Sequence, residues 1–136
     1  MAANLNPIFL LTPINTWGSL TAANTALDGT GTVLTVFTAD AVNGGFVERI
    51  RWRPLGTNVA SLGRIFLNNG LTNVTVANNS FIDDILLPVA TLSQTAQMFG
   101  VDWLYHKQIP LGYKLNVTLA TAVAGGWQIT GMGGNY

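Results

Sequence analysis

Apolar and polar residues change places every one or two positions along this chain, and runs at helical spacing are hard to find. Short segments rich in Val, Ile, Thr and aromatics are bounded by Gly, Asn, Asp and Pro, which is strand-and-turn punctuation. The pattern predicts strands over 8–12, closed by Pro13, and over 16–22. A turn region over 24–31 follows, built around Asp28-Gly29. Strands are then expected over 32–38, 46–53 and 60–68, with Asn43-Gly44-Gly45 as a turn and 54–58 as a loop. Asn69-Gly70 is the strongest hairpin signal, because both central positions of a type I′ turn need positive φ. Its return strand falls over 74–76. The strand over 80–87 stops at Pro88, 90–98 is the one plausible helical turn, and strands over 101–105, 113–120 and 126–132 complete the set.

About eight to ten strands in one chain fit an all-β, two-sheet antiparallel sandwich of jelly-roll type. With 136 residues the chain fits a single domain, 1–136, whose first 29 residues are either an extended arm or the first strands. Composition changes this picture in one respect. Only 9% of residues are charged, against a usual share of about 25%, while 49% are apolar. A surface so short of charge is covered by Asn, Thr, Ser and Gln, or is hidden against partners, and the apolar surplus points to an oligomer or a docked protein. The net charge of zero gives no electrostatic case for nucleic acid or an anionic membrane. No apolar run approaches the ~20 residues of a membrane-spanning helix. Residues 1–11 carry no basic residue before their short apolar stretch and do not read as a signal peptide.

The chemistry-bearing residues are few. Cysteine is absent, so disulfides, thiolate metal sites and cysteine nucleophiles are excluded. The single histidine, His106, stands between Tyr105 and Lys107 near a strand end and reads as a structural or interface residue. Asp83 and Asp84 are adjacent, so on a strand they point to opposite faces and do not converge as a carboxylate pair. Asp28 is a turn residue. The glycine-rich 131–134 has no helix after it and cannot cradle a phosphate in the usual strand–loop–helix manner. Glycosylation patterns begin at Asn73, Asn78 and Asn116, and chance in a chain rich in Asn and Thr accounts for them. Neither catalysis, nor a metal, nor any other cofactor is expected.

The arginines are more informative. Period two along Glu48-Arg49-Ile50-Arg51-Trp52-Arg53 sets Arg49, Arg51 and Arg53 on one face and Glu48, Ile50 and Trp52 on the other. Ile50 and Trp52 then point into the core, and the arginine row points outward as a solvated face or a docking surface. A single-stranded nucleic-acid groove would want aromatics interleaved on the arginine face, and Trp52 lies opposite. Trp52, Trp103 and Trp127 alternate with core residues, so packing is expected of them. Arg64 and His106 join the arginine row as candidate interface residues.

The order of strands and turns through Gly63-Arg64-Ile65-Phe66-Leu67-Asn68-Asn69-Gly70, 81–88, 109–118 and 123–136 resembles that of tailed-bacteriophage capsid decoration, or cement, proteins built on a jelly roll. The likeness covers roughly residues 30 to 136. It implies a virion protein made in the bacterial host cytoplasm that binds the outside of the major capsid protein shell, often as a homotrimer, and stabilises it. The alternative is a phage tail, fibre or adhesin-like module that contacts a host surface or glycan.

Overall fold

The computed structural model describes residues 9–136 and contains eight strands. They are β1 (Thr12–Leu20), β2 (Leu34–Thr38), β3 (Gly45–Pro54), β4 (Ser61–Asn68), β5 (Asn79–Leu87), β6 (Val101–Ile109), β7 (Lys114–Leu119) and β8 (Trp127–Asn135). They form two four-stranded antiparallel sheets, ordered β1-β8-β3-β6 and β2-β7-β4-β5. That order is a jelly roll: two Greek keys packed face to face. The first sheet is called the β3 sheet below and the second the β4 sheet.

Alternation builds the core. Val47, Ile50 and Trp52 of β3, Trp127 and Ile129 of β8, Ile65 of β4, and Leu115, Val117 and Leu119 of β7 are all fully buried between the sheets. Trp52 reaches across to Gly63, where a Cβ would stand 2.8 Å from the indole, so a small residue on one sheet makes room for a large one on the other. At Gly131 a Cβ would overlap the Val36 carbonyl oxygen, so the sheets meet there backbone to backbone.

Several expectations are corrected. Pro13 does not close a strand but lies inside β1, paired with Gly134. β1 is an outer strand with one side free of the ladder, where a missing N–H is tolerated. Asn69-Gly70 does not form a two-residue hairpin. Residues 69–78 make a longer connection that ends in a 3-10 turn over Val76–Asn78, so the strand expected over 74–76 is not formed. There Asn68 Oδ1 accepts the Gly70 N–H at 2.8 Å and Asn69 Oδ1 accepts the Leu71 N–H at 3.1 Å, so two side chains replace hairpin pairing. Residues 90–98 form no helical turn, and the Ser93 hydroxyl accepts the N–H groups of Thr95 and Ala96 instead. Of the first 29 residues, 12–20 are β1, 21–29 belong to the β1–β2 connection, and 1–8 lie outside the described residues.

The free sides of the four outer strands are each blunted. β1 holds Pro13, and β2 is only five residues long. β5 bulges at Ile82 and turns Asp83 inward, while β6 bulges where Tyr105 and His106 oppose Glu48. His106, at this bulge, has φ of +51°, in the left-handed region. These devices oppose strand-to-strand addition of another chain.

Candidate functional site

The outward face of the β3 sheet gathers the arginine row. Cross-strand pairing aligns Trp17, Thr130, Arg51 and Asp102 in one row, and Asn15, Met132, Arg49 and Leu104 in the next. Ser19, Gln128 and Arg53 form a third. Arg51 grips Asp102 with two bonds of 2.7 Å, from Nε to Oδ1 and from an Nη to Oδ2. Arg49 lies 3.5 Å from the same carboxylate and 3.1 Å from Glu48. The Arg51 guanidinium, and secondarily the Arg49 charge, hold the Asp102 carboxyl below the usual carboxylate range.

The row sits as the sequence implies, with one correction. Glu48 was expected on the core face beside Ile50. It is instead the extra residue of a bulge against β8, and its carboxylate turns outward to Arg49. The five candidate interface residues do not converge. Arg49, Arg51 and Arg53 share this face, and His106 lies at the bulge on the outer strand β6. Arg64 is on the other sheet, where its guanidinium donates to the Asn24 carbonyl at 3.1 Å and pins the β1–β2 connection.

The carboxylates are dispersed. Asp83 faces inward and accepts the Trp103 indole N–H at 2.9 Å, while Asp84 stands opposite Arg64 in the β4–β5 register without an ion pair among the described residues. Asp28 accepts both the Thr30 hydroxyl and its N–H, and Asp40 accepts the N–H groups of Val42 and Asn43. These bonds lower both pKa values, led by the Thr30 hydroxyl for Asp28 and the Asn43 N–H for Asp40. Among the described residues no three His or acidic side chains assemble as a metal ligand set. Asn73, Asn78 and Asn116 spend their side chains internally: Asn73 on the Gly29 and Gly31 carbonyls, Asn78 on Thr72, Asn116 on Thr35.

Trp17, the fourth tryptophan, is a further functional candidate on this face. It is 66% exposed, whereas Trp52, Trp103 and Trp127 are buried as expected. A signal was present: its neighbours at period two, Asn15 and Ser19, are polar, while Ile14 and Leu20 pack on the core.

The ends of the sandwich differ from its faces. Eighteen large apolar side chains are exposed among the described residues, and only Trp17, Phe81, Leu86 and Leu104 are on strands. Charge is distributed in reverse. The connections between strands carry Asp28 and Asp40 alone, and every other charged residue is on a strand. One end collects Val42, Leu71, Val74, Val76 and Leu111 from the connections 39–44, 69–78 and 110–113. These connections touch: Gly112 donates to the Asp40 carbonyl at 3.0 Å, and Gly70 packs on Gly112. Phe9, Leu10 and Leu11 join this end, because the Leu11 N–H bonds to the Asn135 carbonyl at 2.8 Å. A shallow open hollow of about 340 Å³ lies here, lined by Ile109, Pro110, Leu111, Tyr136, Asn43, Gly44 and Gln108. At the opposite end the buried Asn58 ties three connections together. Its amide bonds to the Gly126 carbonyl and the Gly125 N–H, and its backbone pairs with Ala90.

Comparisons with protein-family models, with curated proteins and with solved structures find no match to this chain.

Proposed function

We propose that this protein is a non-catalytic structural component of a virion, a capsid decoration protein that seats one end of its jelly roll against the major capsid protein. The carrying observation is the apolar end formed by Val42, Leu71, Val74, Val76 and Leu111, with Phe9, Leu10 and Leu11 beside it. Surface connections ordinarily carry polar and charged residues, and contiguous exposed apolar surface marks an interaction site. Burying this end against a shell removes apolar surface from water, and Asp40, the charged residue of its connections, already accepts the Val42 and Asn43 N–H groups. The blunted strand edges support docking by ends and faces rather than by strand addition. The resemblance of the strand-and-turn order to that of phage cement proteins supports the shell as the partner, and a homotrimer as the unit that sits on it. Neither nucleic acid nor membrane has a place in this reading.

The test is co-sedimentation with capsids of the encoding virus from which the protein has been removed, with light scattering for the oligomeric state. The wild-type chain is expected to bind and to behave as a trimer in solution or on the shell. Leu71→Asp combined with Leu111→Asp is expected to fold and to lose binding at least tenfold. A strict monomer that ignores capsids overturns the proposal, as does binding that survives both charges.

A further inference from the structure

The outward face of the β3 sheet lies apart from that end and has a different chemistry. Trp17 stands on it as a large aromatic whose neighbours, apart from Met132 at one diagonal, are neutral hydrogen-bonding groups. Thr130 is its direct cross-strand partner, Asn15 and Ser19 flank it on β1, and Gln128 is one step along β8. The hydrogen bonds between side chains on this face, among the described residues, join Glu48, Arg49, Arg51 and Asp102 to one another. They leave the Asn15, Ser19, Gln128 and Thr130 side chains free to bond a ligand. Arg51 is spent on Asp102, while Arg53, opposite Gln128, has no carboxylate partner among the described residues.

We propose that Trp17 and its polar surround form a binding platform for a neutral glycan. A pyranose ring presents C–H groups on one face and hydroxyls around its rim. The C–H face stacks on an exposed indole, and the rim hydroxyls need donors and acceptors in the plane beside it. The side chains of Thr130, Gln128, Asn15 and Ser19 supply both. The indole offers apolar area with a polar N–H at its edge, which suits a ligand that is itself half apolar and half wet. A protein partner would be better served by an apolar surround, and the direct partner and strand neighbours of Trp17 are polar, with Met132 the apolar side chain at one diagonal. With one end of the sandwich against a shell, this face would remain open to the surroundings.

The experiment uses a printed array of neutral and acidic oligosaccharides, probed with the labelled full-length chain. Wild type is expected to bind a class of neutral glycans, Trp17→Ala to lose that binding more than tenfold, and Gln128→Ala with Thr130→Ala to weaken it several-fold. Acrylamide quenching gives a second readout, since Trp17 is the exposed indole and Trp52 and Trp127 are at 0%. Bound oligosaccharide should protect Trp17, while the buried tryptophans report that each variant is folded. An empty array overturns the proposal, and so does binding that survives Trp17→Ala. Recognition confined to acidic glycans also overturns it and assigns the contact to Arg53. Trp17→Ala should still co-sediment with capsids, so failure here is distinguishable from failure of the docking reading.

Discussion

Phe66 on β4 and Trp17 on β1 both point away from the core, on opposite faces of the sandwich, yet Phe66 is 0% exposed and Trp17 is 66%. The β4 sheet is sealed by the chain itself. The β1–β2 connection bonds to the strand beneath it, with the Asn24 N–H on the Leu119 carbonyl and Arg64 on the Asn24 carbonyl. Asn73 then bridges from the 69–78 connection to the Gly29 and Gly31 carbonyls. Under this cover Phe66, Asn116, Thr118 and Asn68 are buried, and Phe66 packs on Phe81 with ring centres 5.3 Å apart. The β3 sheet has no such cover among the described residues, and the side chains on its outward face bond only to one another. An outward strand position is thus an ordinary core site on one sheet and an available site on the other, decided by where a connection folds back.

That contrast can be broken in graded steps. The largest effect is expected at Phe66→Ala, which empties a site under the cover and should cost about 3–5 kcal/mol in chemical denaturation. A cost under about 1 kcal/mol would mean that the cover is loose. Next comes Asn24→Ala. The Asn24 amide holds the Thr30 and Thr32 carbonyls and accepts the Ala26 N–H. Its loss should cost about 2 kcal/mol and raise hydrogen exchange across residues 21–33 ahead of the strands. Uniform exchange would show that the cover and the sheet open together.

On the open face the effects shrink. Asp102→Asn removes the carboxylate shared by Arg49 and Arg51 and should cost up to about 1 kcal/mol, because solvent screens the pair. The sign of its pH dependence follows from the lowered Asp102 pKa. The contribution is fully present above the unfolded-state value near 3.8 and is lost as pH falls through the still lower folded value. The stability gap between wild type and Asp102→Asn should therefore close below about pH 4, as read by urea melts across pH 2–6. A gap constant down to pH 2 would rule out the ion pair as its source. The smallest effect is expected at Trp17→Ala, within about 0.5 kcal/mol of wild type. A cost of several kcal/mol would make Trp17 a packing residue and remove the contrast.

Alternation made much of this legible in the sequence. Ile50 and Trp52 inward, the arginines outward, Asp83 and Asp84 on opposite faces, and three tryptophans in the core all follow from period two, which is local and survives in any sheet. The strand count and turn chemistry pointed to the jelly roll that the sheet order shows. Trp17 was legible too, through its polar neighbours at the same spacing.

What alternation could not supply was anything set by a partner strand. Glu48 left the core face, and His106 took its left-handed conformation, because bulges arise when two strands of unequal count are paired. Pro13 fits inside β1 because that strand is an outer one, and a strand's place in a sheet is not encoded within it. Arg64 reads from sequence like Arg49 or Arg51, but a connection some forty residues earlier lies across it and takes its guanidinium. The sequence by itself thus determined which residues share a face. Only the tertiary structure decided which faces are covered, because cover depends on contacts between segments distant in the chain, which no local period records.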